Sequence, residues 1–82
     1  MAFNNLNLHK KIYFIQEYAI KMQKRGISNV RIHKNIIKVY PITIQTYYNY
    51  MGRNVKKELR ALNVDFEELK KESNYINSII PE

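Results

Sequence analysis

The 82-residue sequence contains no cysteine or tryptophan, and it has only two glycines and two prolines. Without cysteine, neither a disulfide framework nor a thiolate metal site can form. The two histidines, His9 and His33, are far apart in the sequence and lack an acidic neighbour at ligand spacing, so a four-coordinate zinc site is not expected. No apolar run approaches the ~20 residues that span a bilayer, and the N-terminus does not resemble a signal peptide. We therefore expect a soluble cytoplasmic protein that uses no cofactor and no membrane.

Acidic residues are scarce in the first 60 positions. Twelve Lys and Arg residues stand there against two acids, Glu17 and Glu58, which gives a net charge of +10, whereas residues 61–82 carry −3. A basic body with an acidic tail suits a polyanion on one side and solvent or a second protein on the other. Charge alone leaves nucleic-acid binding and an ordinary solvated surface as alternatives.

The length allows one domain with a single small core. Apolar residues at steps of three and four predict a first helix over about residues 8–25 and a second over about 29–39. Asp65 is placed to cap an acidic last helix over about 65–80. These patterns predict an all-α fold, a bundle of four to five helices.

The middle of the chain predicts a corner between two helices. Pro41 ends the second helix because it lacks an amide donor, and Thr43 is placed to cap the third. The interval of about 29–52 is therefore interpreted as a helix-turn-helix within a single domain, 1–82. Whether the third helix stops at Gly52 or continues is left open by the pattern. The residues of the second helix expected to face the core are Val30, Ile36, Ile37 and Tyr40.

The third helix has two different faces. Tyr47, Tyr50 and Met51 share one side, which should pack inward. The opposite side carries Gln45, Thr46, Tyr48 and Asn49. Gln and Asn can pair bidentately with adenine, and Thr and Tyr hydroxyls can donate to phosphate oxygens. The row Arg31, Lys34 and Lys38 on the preceding helix could follow a phosphate backbone.

Residues 36–51 resemble the helix-turn-helix of the tetracycline-repressor-like and resolvase/invertase-like groups, whose common form is I-A-x-x-L-G-V-S-x-x-T-V-Y-R-Y-L. The chain supplies Ile36 at the first position, Ile42-Thr43 for Val-Ser, and Thr46 through Met51 for the last six residues. Ile37 replaces the small residue of the helix crossing. Pro41 replaces the turn glycine, so we expect a corner built differently and one residue longer.

The resemblance implies sequence-specific binding of double-stranded DNA. Base reading is expected from the third helix, by Ile44, Gln45, Tyr48 and Asn49. Phosphate contacts are expected from Lys34, Lys38, Thr43, Thr46, Arg53 and Lys56. One such unit offers few base contacts, so a homodimer on a palindrome is expected, held by the first helix's outer face or by the last helix. The function would be that of a small transcriptional regulator or a phage or mobile-element control protein at the nucleoid.

Two other functions compete with this one. A helical adaptor that binds proteins and reads no DNA is suggested by the acidic segment 65–72 and the surplus of aromatic residues. Binding of single strands by exposed tyrosines is a third interpretation. An enzyme is not expected, because no nucleophile–base pair, paired carboxylates or glycine-rich phosphate loop occurs in the sequence. No small-molecule ligand is expected either.

Overall fold

The computed structural model describes residues 2–80, with side chains from Leu6 onward. These residues form five helices and no strand. The helices are α1 (Ala2–Lys24), α2 (Asn29–Ile36), α3 (Ile44–Met51), α4 (Val55–Ala61) and α5 (Phe66–Ile79). The all-α prediction is therefore confirmed. None of the helices in this part of the chain has both the length and the apolar composition that a membrane crossing requires.

The helix boundaries follow from capping residues. Thr43 accepts a hydrogen bond from the amide of Thr46, and Asp65 accepts from the amides of Glu67 and Glu68. Such a side chain satisfies an amide that has no partner within the helix and contributes about 1 kcal/mol. Other caps of this kind are Ser28 before α2 and Asn54 before α4. After α1 and after α4 the chain turns through positive φ, at Gly26 (80°) and at Asn63 (57°).

Helix α1 is the centre of the fold because it contacts each of the other four helices. Its first half packs on α4 and α5 in a cluster formed by Ile12, Tyr13, Phe14, Val55, Leu59 and Leu69. Its second half packs on α2, α3 and the end of α5, in a cluster formed by Ile15, Tyr18, Ala19, Met22, Ile32, Ile36, Tyr47 and Ile80. The α2–α3 pair is therefore supported from behind by one half of a long helix.

The inward face of α2 differs from the predicted one. Val30 and Ile37 were expected in the core, but they are 56% and 41% exposed. The buried residues of this helix are Ile32, Asn35 and Ile36. Asn35 can face the core because its amide donates to the Tyr18 hydroxyl at 3.2 Å. Because a polar residue, Asn35, occupies a buried position, the apolar pattern predicted the wrong inward face for α2.

The ends of α2 and α3 also needed correction. Helix α2 stops at Ile36 and not at Val39, which leaves seven residues, 37–43, before α3. The turn of a DNA-binding helix-turn-helix usually has three or four residues, so the corner is longer than the single extra residue expected. At the other end, Gly52 caps the end of α3 and Asn54 caps the start of α4, so the third helix does not continue through Gly52.

Candidate nucleic-acid interface

The solvent side of α3 carries the residues expected to read bases. Ile44, Gln45, Tyr48 and Asn49 are all exposed, Tyr48 to 48% of its full area. Tyr47 is fully buried on the opposite side, where Tyr50 and Met51 are partly buried against the core. The inward face predicted for this helix is therefore confirmed. The outward face is uncharged, as is the whole stretch 39–52.

Tyr47 fixes α3 against α1 and α2. Its hydroxyl donates to Oδ1 of Asn29 on α2 at 3.0 Å, and the same oxygen accepts from the Gln23 amide of α1 at 2.8 Å. Burial, together with the neighbouring Tyr48, raises the pKa of the Tyr47 hydroxyl to about 12. The hydroxyl therefore remains a proton donor at any physiological pH. Neither Gln23 nor this use of Asn29 was anticipated from the sequence.

A buried amide in α1 holds the C-terminal end of α3. Gln16 donates to the carbonyl of Tyr50 at 2.7 Å and to the carbonyl of Arg53 at 2.8 Å. Carbonyls at the end of a helix have no partner within the helix, so these two bonds replace water at a half-buried site. The sequence contained a signal for this role, because Gln16 follows four consecutive apolar residues that are all buried. The whole of α3 is thus attached at both ends.

The seven-residue corner is held by His33. With its proton on Nε2, the imidazole donates to the carbonyl oxygen of Ile42 at 2.7 Å, just before the Thr43 cap. The ring also lies 6.1 Å from the ring of Tyr47. Its position in the sequence did not indicate a role for His33. In the structure it takes part in setting where α3 begins relative to α2.

The predicted phosphate ligands divide into two groups. Lys34 and Lys38 are exposed, as is Arg31 beside them, and no carboxylate of residues 6–80 pairs with any of the three. Thr43 and Thr46 lie at the start of α3 with their hydroxyls 2.9 Å apart. Four of the six predicted residues therefore lie between α2 and the first turn of α3: Lys34 on α2, Lys38 in the corner, and Thr43 and Thr46 at the beginning of α3.

Arg53 and Lys56 have intramolecular partners. Nη2 of Arg53 lies 2.7 Å from Oε2 of Glu58, an oxygen that His9 also contacts at 2.7 Å. Nζ of Lys56 lies 3.5 Å from Oε1 of Glu17. The two acids among residues 1–60, Glu17 and Glu58, thus form ion pairs with these cations. The ion pairs weaken the prediction that Arg53 and Lys56 bind phosphate. Sequence spacing could not show it, since each pair joins separate elements or lies across a turn.

His9 has an acidic neighbour in space although it has none in sequence. The contact with Glu58 does not make a metal site: within the described residues, no three His, Asp or Glu side chains are grouped closely enough to hold an ion. The cluster of His9, Arg53 and Glu58 instead joins α1 to the beginning of α4. We interpret it as a structural contact.

No known protein family, curated protein or solved structure matches this chain at a significant level. The side chains that α2, the corner and α3 expose are therefore the features that bear on function.

Proposed function

We propose that the chain binds double-stranded DNA with sequence preference through α2 and α3, as a small transcriptional regulator or a phage or mobile-element control protein. The observation that carries the proposal is the outward face of α3, where two amide side chains lie one helical turn apart, together with the exposed cations of α2 and of the corner that precedes α3. A groove-reading helix needs this combination of directional hydrogen-bonding groups and nearby positive charge.

The cations of α2 supply the attraction to the phosphate backbone. Arg31 and Lys34 are three residues apart and share one side of the helix, and Lys38 follows in the corner. Each phosphate that such a cation neutralises releases counterions, which makes affinity fall with salt. The Thr46 hydroxyl accepts from Thr43 and keeps its own proton for a phosphate oxygen. Arg53 contributes less, because Glu58 occupies it.

The side chains of α3 supply the sequence preference. Gln45 and Asn49 can each form two hydrogen bonds to an adenine edge in the major groove. Ile44 and Tyr48, also one turn apart, offer apolar contact to thymine methyl groups. Since α3 carries no charged residue, we assign most of the affinity to the cations that precede it and the discrimination between sequences to α3.

A homodimer completes the proposal, because a single α3 reaches few bases. We place the dimer contact on α5, where Tyr75 is 69% and Ile79 53% exposed. The two lie four residues apart and so share one side of the helix. The segment 73–80 contains no charged residue. Two copies of a chain with a net charge of +7 can approach there with little direct repulsion between like charges.

The experiment that tests DNA binding is a fluorescence titration of random-sequence duplex at several salt concentrations. We expect a linear fall of log affinity with log salt, with a slope of about −0.9 for each phosphate contacted. Lys34→Gln should remove one phosphate contact and so make the slope less steep by about 1. Lys71→Gln, on the exposed side of α5, should leave the slope unchanged. Absence of duplex binding at low salt would refute the proposal.

One observation favours a second function, that of a helical adaptor for another protein. Apolar side chains are exposed on both α2 and α3, at Val30, Ile37, Ile44 and Tyr48. Exposed apolar groups collected on neighbouring elements are typical of protein-binding surfaces. Under this alternative the same variants of α3 would disturb a protein partner, and Lys34→Gln would have no effect on duplex because duplex would not bind.

A further inference from the structure

A second basic surface lies away from α2 and α3, in a cleft between α1, α4 and α5. Its wider part has a volume of about 500 Å³. A narrower part of about 220 Å³ continues along α1 and α5. The two parts share Tyr13, Glu17 and Lys70 in their linings, so they lie side by side, and together we call them the α4–α5 cleft. None of its lining residues belongs to α2 or α3.

The lining of the cleft is strongly positive. Three helices contribute cations to it: Lys21 from α1, Lys56 and Arg60 from α4, and Lys70 from α5. Glu17 is the one carboxylate among its lining residues, and it pairs with Lys56. The cleft therefore keeps a charge of about +3 in a concave site, where field lines are focused and anions concentrate. Cations gathered in this way repel one another unless an anion lies between them.

Polar side chains, two of them buried, form the floor of the cleft. Tyr13 is buried, and burial and the Glu17 carboxylate raise the pKa of its hydroxyl. Ser73 is also buried, and it accepts a hydrogen bond from the Asn77 amide at 3.4 Å. The other amide atom, Oδ1 of Asn77, is buried with no donor among the described residues.

We propose that the α4–α5 cleft binds a phosphate group. The guanidinium of Arg60 can form paired hydrogen bonds with two phosphate oxygens, and a phosphate monoester carries a charge of about −1.5 to −2 that lysines on neighbouring helices can share. A carboxylate, with one negative charge, would neutralise less of the cleft's charge than a phosphate monoester does. The phosphate could belong to a small ligand, such as a mononucleotide, which carries the monoester charge, or to a nucleic-acid backbone, whose diesters carry a single charge each. Both offer Arg60 two phosphate oxygens.

The sequence supplies matched controls for this site. Lys70 lines the cleft and its neighbour Lys71 does not, although both are exposed. Arg60 likewise lines the cleft, while Lys57 on the same helix is exposed outside it. Within each pair, replacing either residue by Gln removes one positive charge. A difference within a pair therefore reports position and not overall charge.

The test is calorimetric titration of the intact chain with inorganic phosphate, a mononucleotide and a short duplex, each at constant ionic strength. Phosphate or the mononucleotide should bind the wild-type chain, and Arg60→Gln and Lys70→Gln should each weaken that binding at least fivefold. Lys57→Gln and Lys71→Gln should change it less than twofold. Circular dichroism of every variant confirms that the helices are retained.

The source of the phosphate follows from the three ligands. Tighter binding of the mononucleotide than of phosphate, lost in the cleft variants, would indicate a small ligand. Weakening of duplex binding by the cleft variants, greater than by their controls, would indicate a backbone phosphate. The proposal is overturned if cleft variants and controls behave alike with all three ligands, or if none binds at constant ionic strength. Lys34→Gln separates the two sites, because it should weaken duplex and leave phosphate binding unchanged.

Discussion

The side-chain amide of Gln16, in the middle of α1, lies 2.7 Å from the carbonyl oxygen of Tyr50 near the end of α3. This contact connects the scaffold helix directly to the helix that we propose reads DNA. With the second bond of Gln16 to Arg53, it fixes the point where α3 stops and the chain turns toward α4. The orientation of the exposed face of α3 depends on such buried bonds.

Replacing Gln16 should destabilise the fold. In Gln16→Leu the Arg53 carbonyl loses its side-chain donor in a half-buried place and the Tyr50 carbonyl keeps only the Arg53 amide, at a cost of about 1–3 kcal/mol in the free energy of unfolding. Gln45→Ala, at an exposed position of α3, should change that free energy by about 0.5 kcal/mol or less. Urea unfolding followed by circular dichroism measures both. Equal midpoints for the two variants would show that the buried bonds contribute nothing.

The buried hydroxyl of Tyr47 makes stability depend on alkaline pH. Its pKa is about 12 in the folded chain, above the ordinary value of 10.0, so the contribution is complete below pH 10 and is lost as the pH rises toward 12. Tyr47→Phe should therefore show a shallower loss of stability over that interval. Some loss should remain, since burial also raises the pKa of Tyr40.

Tyr47→Phe should also cost about 1 kcal/mol of stability at neutral pH, because Asn29 loses a hydrogen bond. The control is Tyr75→Phe, at a hydroxyl on the exposed side of α5. Thermal unfolding at pH 7 gives the stability of each protein at neutral pH, and comparison with unfolding at pH 11 gives the stability that is lost on raising the pH. If the two variants follow the same pH curve, Tyr47 is not the group responsible.

Gln45 and Lys38 should have different effects on DNA binding. Gln45→Ala should relax the preference at one base pair, by about 1–3 kcal/mol, while affinity for unrelated duplex changes little. Lys38→Ala should weaken binding to every sequence alike and reduce the salt slope by about 1. Competition titrations with a panel of single-base variants separate the two behaviours. Wild-type behaviour in both variants would contradict the assigned surface.

A charge on the outer side of α5 should break the proposed dimer. Ile79→Lys places a cation where two copies of a basic chain would meet, so sedimentation should show a shift toward monomer. Ile20→Lys is a control at an exposed apolar position of α1 and should keep the wild-type distribution. A wild-type chain that is monomeric at high concentration would rule out the dimer contact on α5.

Local features of the fold were predictable from the sequence, whereas long-range ones were not. Thr43 and Asp65 were identified as caps because capping depends on neighbours two or three residues away. Tyr47 was placed inward from helical spacing alone. The buried face of α2 was missed because Asn35 is satisfied by Tyr18, a residue on another helix. No local pattern distinguishes such an asparagine from an exposed one.

The candidate site shows the same limit. The exposed face of α3 followed from spacing, but the partners of Arg53 and Lys56 became visible only when α1 and α4 were placed together. The length of the corner was also underestimated. Its end depends on the bond from His33 to the Ile42 carbonyl, nine residues along the chain, which supports a connection without the usual turn glycine.

Selection of bound duplexes from a random pool is the direct test of whether α3 reads double-stranded DNA. We expect enrichment of a short site that contains adenines, repeated as a palindrome if the chain dimerises. With Gln45→Ala, the preference at one position of that site should be lost. A pool that shows no enrichment after several rounds, with the wild-type chain and Gln45→Ala retaining the same sequences, would contradict it.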